Sequence, residues 1–289
     1  MRKPLFTGAC TALVTPFLDG KVNYPMAEQL LRRQIEAGIT TVVIAGTTGE
    51  SPTLSDDEKI ELFRRCKQYV GDACKIIAGT GTNSTEHAIA LSVAAEEVGV
   101  DGLLVVSPYY NKATPDGLYA HYLSIAHSVS LPVILYNVPS RTGVDIPVSV
   151  YQRLSRVPNI VGVKEASSDI TKITRIKLAC EPDFTIWSGN DDQIVPVMAL
   201  GGSGVISVLS NIYPEETNAM CHAALDGDFL TAAALQRQLL PLIDLLFCEV
   251  NPIPVKAALQ YIGFDCGGCR LPLSRLTKEH QQQLERYFA

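Results

Sequence analysis

The chain has 289 residues, is 47% hydrophobic and carries a formal net charge of −6, with a pI near 5.4. That length buries a large core and lies close to the roughly 250 residues of an α/β barrel built as one domain. With no run rich in Lys or Arg, the acidic balance argues against a nucleic-acid partner and against an anionic membrane surface.

In chain order, Met1-Arg2-Lys3-Pro4-Leu5-Phe6 has two positive charges but no apolar run of signal-peptide length. No later stretch reads as a bilayer span, so a cytoplasmic protein is expected. From there, short apolar runs alternate with amphipathic stretches eight times: 10–16, 41–46, 75–79, 102–107, 133–136, 160–164, 184–188 and 204–208. Several, such as Val42-Val43-Ile44 and Leu103-Leu104-Val105-Val106, are continuously apolar, as strands covered on both faces are. Ser55-Asp56-Asp57-Glu58 reads as a capping box before a helix over 59–69, and Asn83-Ser84-Thr85-Glu86 resembles another. No G-x-G-x-x-G follows the first strand, which disfavours a Rossmann sheet. The pattern predicts an α/β fold: a (β/α)8 TIM barrel over 1–224, followed over 225–289 by a C-terminal helical extension with helical runs at 229–250, 254–262 and 278–288.

The eight cysteines are scattered along the chain, without the density of a disulfide scaffold, and read as reduced thiols. Cys266-Gly267-Gly268-Cys269 alone has C-x-x-C spacing, that of a redox pair or half a zinc site, but no second pair or neighbouring histidine completes it. The five histidines form no H-x-H or HExxH arrangement either, so no metal is expected.

Active sites of (β/α)8 barrels lie at the C-terminal ends of the strands, which selects the residues just past each run. The second run delivers Gly46-Thr47-Thr48-Gly49-Glu50, the fourth Ser107-Pro108-Tyr109-Tyr110-Asn111, and the fifth Tyr136 with Arg141 in its loop. The sixth ends in Lys164, the seventh leads to Ser188-Gly189-Asn190-Asp191, and the eighth carries Ile206-Ser207. A lysine at the end of an apolar strand either points into water or, when buried, becomes a neutral amine suited to Schiff-base chemistry. Thr47 and Thr48 read either as an ordinary turn or as a cradle of hydroxyls and N–H groups for a carboxylate. Tyr136 is either a core aromatic or a phenol that moves protons beside an amine. Arg141 is either a solvated loop side chain or a bidentate carboxylate clamp. Gly201-Gly202-Ser203-Gly204 has no added positive charge and reads as a tight turn rather than a phosphate site.

The motifs GTTGES (46–51), SPYYNK (107–112), LYNVPSRTG (135–143), GVKEAS (162–167), GGSGVISV (201–208) and NPIPVK (251–256) resemble those of the dihydrodipicolinate synthase (4-hydroxy-tetrahydrodipicolinate synthase) family. They fall in order over nearly the whole chain. The resemblance implies a Schiff-base lyase that condenses pyruvate with L-aspartate 4-semialdehyde, the first committed step of the diaminopimelate route to lysine, without metal or organic cofactor. It implies a homotetramer built as a dimer of dimers. By position, Lys164 forms the imine, and Tyr136, Thr47 and Tyr110 relay protons, with Tyr110 reaching the neighbouring subunit's site. Thr48 and the Ile206 backbone hold pyruvate, and Arg141 orients the aldehyde.

The positions at which regulated relatives bind lysine are altered. Ser51, Asn83 and Tyr109 match, but Asp56 and Lys59 replace histidines and His87 replaces a glutamate. This exchange predicts weak or absent lysine feedback. Two rival readings differ in kind: a sugar-acid or N-acetylneuraminate lyase, for which a carboxylate clamp at Arg141 has little use, and a non-catalytic keto-acid sensor, which has no need of Lys164 and Tyr136 together.

Overall fold

The computed structural model describes residues 3–289. Eight parallel strands close into a barrel in which each pairs with the next in sequence and the last returns to the first. They are β1 (Gly8–Ala12), β2 (Thr41–Ile44), β3 (Lys75–Gly79), β4 (Gly102–Val106), β5 (Val133–Asn137), β6 (Ile160–Glu165), β7 (Thr185–Ser188) and β8 (Gly204–Ser207). The helices that follow them are α1 (Tyr24–Glu36), α2 (Asp56–Val70), α3 (Thr85–Val98), α4 (Pro115–Ser128), α5 (Val148–Leu154), α6 (Ile170–Ala179), α7 (Ile194–Ala199) and α8 (Pro214–Leu225). After the eighth unit come α9 (Phe229–Leu246), α10 (Ile253–Tyr261) and α11 (Lys278–Phe288). The chain is thus a (β/α)8 TIM barrel with a C-terminal helical part.

Strand alternation builds two apolar layers. Cys10, Val43, Ile77, Leu104, Ile134, Tyr136, Trp187 and Ile206 form the inner cluster. Their neighbours Val42, Ile76, Leu103, Leu135 and Val163 belong to the larger cluster beneath the helices. The Trp187 indole stacks on Phe6 at 4.8 Å and donates from Nε1 to the Phe6 carbonyl at 3.2 Å. A Cβ on Gly162 would meet this indole at 2.8 Å and the Thr185 carbonyl oxygen at 2.2 Å, so glycine is required there for the ring to fill the barrel.

Local differences from the sequence expectation have identifiable causes. The first strand ends at Ala12: Leu13 N still donates to the Val43 carbonyl on β2 at 3.0 Å, but beyond it Val14 N donates to Asn211 Oδ1 at 3.2 Å and Phe17 N to the Cys266 carbonyl at 2.9 Å. The α2 capping box has both halves, Glu58 N to Ser55 Oγ at 3.2 Å and Ser55 N to Glu58 Oε2 at 3.0 Å. The second does not form as a reciprocal pair, since Ser84 is the cap and the third helical residue is His87, whose N–H it accepts at 3.3 Å. Finally, α9 is, by length and composition, apolar enough to cross a membrane, a correction to the expectation of no such stretch. In this fold it lies against α8 and α7 and places Leu239, Leu242, Ile243 and Leu246 in the core.

Candidate active site

Lys164 and Tyr136 are register partners on β6 and β5. Both face the barrel interior, at 5% and 6% exposure, and Lys164 Nζ lies 4.3 Å from the centroid of the Tyr136 ring. The solvent-facing reading of this lysine is therefore set aside. Gly189, just past β7, leaves space for its stem: a Cβ there would come within 3.2 Å of Lys164 Cε and 2.6 Å of the Ala166 Cβ.

Thr47 and Thr48 follow β2, with Thr48 buried and Thr47 half-buried. The turn is held in an uncommon backbone shape. Ala45 and Glu50 on either side have φ of 51° and 57°, and a Cβ on Gly79 would meet the Ala45 carbonyl oxygen at 2.3 Å. Left-handed φ at non-glycine residues costs of order 1–3 kcal/mol and persists only where surrounding contacts enforce it. Here those contacts come from the far end of the chain. Asn251 Nδ2 donates to Thr48 Oγ1 at 3.0 Å, Lys256 Nζ meets Glu50 Oε1 at 2.6 Å, and Arg270 N donates to Glu50 Oε2 at 2.8 Å.

Ile206 is buried on β8 in register with Cys10. Just beyond it, the buried Asp191 carboxylate accepts from Val208 N and Leu209 N, both at 2.9 Å. Burial pushes this carboxyl above the usual range, a shift that its hydrogen bonds and the Lys164 charge reduce. Arg141 sits in the helical turn Pro139–Thr142 after β5 and is exposed, free to meet an incoming anion.

Tyr110 does not join this group. It is 86% exposed, with a left-handed φ of 76°.

Of the residues matched to a lysine site, Asp56, Lys59 and His87 form a separate ion-paired group. Asp56 contacts His87 Nε2 at 2.7 Å and Lys59 Nζ at 3.4 Å. Partial burial raises the Asp56 carboxyl, but the His87 hydrogen bond and the Lys59 ammonium outweigh it and hold the group below its ordinary value. Ser51 and Tyr109 are half-buried and Asn83 is exposed. At Cys266 and Cys269, burial pushes both thiols up to about 12, the opposite of the low thiolate pKa that redox or metal-binding cysteines require.

The sequence reading gave no role to Asn251, Lys256, Asn137 or Glu165. The signal available was polar residues inside apolar runs, NPIPVK and the strand ends YN and KE. Only the fold shows what those side chains face.

The profile of the Dihydrodipicolinate synthetase family matches residues 5–289. The chain belongs to this family. Among its curated relatives, the 4-hydroxy-tetrahydrodipicolinate synthase of Acetivibrio thermocellus is 47% identical over 285 residues, covering 99% of this chain and 97% of that one. The dihydrodipicolinate synthase of Aquifex aeolicus superposes with a TM-score of 0.96 at 41% identity, covering 98% of this chain and 97% of that one. The enzyme of Cyanidioschyzon merolae, solved with lysine bound, superposes with a TM-score of 0.95 at 42% identity, covering 98% and 97%.

Proposed function

We propose that this chain condenses pyruvate with L-aspartate 4-semialdehyde to give 4-hydroxy-tetrahydrodipicolinate, through a Schiff base on Lys164. The observation that carries the chemical assignment is the buried Lys164 amine beside the Tyr136 ring on adjacent strands, in a chain whose relatives bear the synthase name.

In this reading, neutral Lys164 adds to the keto carbon of pyruvate, and Tyr136 protonates the departing hydroxyl, so water leaves and the imine forms. The imine acts as the electron sink, so the methyl group loses a proton to give an enamine without metal or organic cofactor. The enamine carbon attacks the aldehyde, whose oxygen takes up a proton. The amino group of the semialdehyde then displaces Lys164 from the imine carbon, closing the ring and freeing the enzyme. Thr47 carries protons next to Tyr136, while Thr48 and the Ile206 backbone hold the pyruvate carboxylate. Arg141 pairs with the carboxylate of the semialdehyde.

The exposed, strained Tyr110 supports its use across a subunit contact, completing the proton relay of a neighbouring copy within a homotetramer in the cytoplasm. The ion-paired Asp56–Lys59–His87 cluster supports weak or absent lysine feedback.

The test is borohydride reduction in the presence of pyruvate. Wild type gains the mass of a reduced pyruvyl group and Lys164→Ala does not; equal labelling of both overturns the imine assignment. Turnover with L-aspartate 4-semialdehyde in preference to N-acetylmannosamine supports the substrate pair, whereas turnover with the sugar aldehyde alone overturns it.

A further inference from the structure

We propose that Asn137 and Glu165 are positioning residues that lock the Tyr136 phenol against the Lys164 amine from outside the barrel; the proposal rests on the imine chemistry assigned to that pair. Each follows its catalytic neighbour directly in the chain. Since successive strand residues face opposite sides, Tyr136 and Lys164 point inward while Asn137 and Glu165 point out beneath the helices. The outward pair is itself in register across β5 and β6 and almost fully buried, at 0% and 3% exposure.

The two side chains are joined. Asn137 Nδ2 donates to Glu165 Oε1 at 2.8 Å and to Asp145 Oδ1 at 2.8 Å, while its Oδ1 accepts from Ile146 N at 3.0 Å. Glu165 also accepts from Ser167 N at 2.9 Å and from the Tyr151 hydroxyl at 3.0 Å. Lys172 Nζ lies 3.7 Å from Glu165 and is hydrogen-bonded to Asp145. A buried carboxylate is tolerated only when it is bonded and paired in this way. Both Asn137 amide protons are committed to carboxylates, so an aspartate at this position cannot reproduce the arrangement.

This tie reinforces the end of a β5–β6 ladder that is irregular at its lower end. Its register shifts between Val133 and Ile134, where the partners move from Ile160 to Gly162. Above that shift the backbone runs in register for only four pairs, from Ile134–Gly162 through Tyr136–Lys164 to Asn137–Glu165. The Asn137–Glu165 side-chain bond clamps the end of this short ladder one residue beyond the reacting pair. Misplacement of reacting groups by about 1 Å can cost on the order of a hundredfold in rate.

Two variants test the role, Asn137→Asp and Asn137→Ser. Asn137→Asp sets an oxygen without a proton against two carboxylates at neutral pH. The expected result is a kcat lowered about 10- to 100-fold, with pyruvate KM and borohydride trapping within about threefold of wild type. Its kcat recovers relative to wild type as the pH is lowered, because the protonated side chain can donate again. Asn137→Ser cuts the same bond without adding charge and should show the same kcat loss with no recovery in acid; it decides the matter if Asn137→Asp does not fold. Normal turnover in either variant overturns the positioning role, as does a parallel fall of kcat, pyruvate affinity and melting temperature in Asn137→Ser. Both results leave the imine assignment standing when wild type traps pyruvate; if wild type traps none, that assignment fails and the positioning role falls with it.

Discussion

Lys256 Nζ lies 2.6 Å from Glu50 Oε1, with both side chains shut away from solvent, so the C-terminal part of the chain forms a buried ion pair with the loop that carries Thr47 and Thr48. The pair is supplemented by Lys256 Nζ donating to the Gly268 carbonyl at 3.0 Å. The helical part after the barrel is thus built into the support of the proposed pyruvate cradle.

Removing one member of this pair strands the other. Lys256→Met leaves the Glu50 carboxylate buried without its cation and should destabilise the fold by about 3–5 kcal/mol. Denaturant unfolding checks the magnitude, and adding Glu50→Gln to Lys256→Met should recover a large part of the loss. An unchanged unfolding midpoint in the single variant would show that the pair contributes nothing.

Asn251 acts on the same loop through one neutral hydrogen bond to Thr48 Oγ1 at 3.0 Å. Loss of such a bond costs about 1 kcal/mol, so Asn251→Ala should raise pyruvate KM by roughly fivefold to tenfold. The fall in kcat should be smaller, since Lys164 and Tyr136 stand on other strands. Steady-state kinetics with pyruvate varied separate the two effects.

Stability should depend on pH through His121. Its ring is buried, with Nδ1 2.9 Å from Thr85 Oγ1, and burial lowers its pKa from 6.5 to about 4. The folded pKa lies below the unfolded one, so the unfolded chain takes up the proton first as the pH falls. The contribution of neutral His121 is intact above about pH 6.5 and is lost progressively down to about pH 4, a change of order 3 kcal/mol. Thermal melts across that window should fall less steeply for His121→Gln than for wild type.

Lysine should be a poor inhibitor. Asp56, the one carboxylate among the matched positions, already has Lys59 and His87 as partners, and an incoming ammonium would have to compete with both. Assays at rising L-lysine concentration should leave the rate nearly flat, and strong inhibition at low concentration would refute the expectation.

Much of this molecule was legible in its sequence. Continuous apolar runs such as Val42-Val43-Ile44 and Leu103-Leu104-Val105-Val106 mark strands buried on both faces, and eight of them with intervening helices leave the closed barrel as the economical arrangement. Lys164 and Tyr136 stood out because a charged group and a phenol at the ends of such runs break the pattern. Helix caps were legible where both halves of the device are local, as at Ser55 and Glu58. They misled at Asn83–Glu86, where only Ser84 bonds back to the helix.

By itself, the sequence determined the period-two and helical patterns, the order of the elements and the chemistry of the side chains at the strand ends, because these depend on neighbours close along the chain. The tertiary structure alone decided which distant groups meet: Asn251 with Thr48 across 203 residues, Lys256 with Glu50 across 206, and Asn137 with Glu165 behind the reacting pair. Such contacts form only when the barrel closes and the last helices fold back over its rim. A polar residue in an apolar run announces that it needs a partner, but burial and geometry determine which partner it finds.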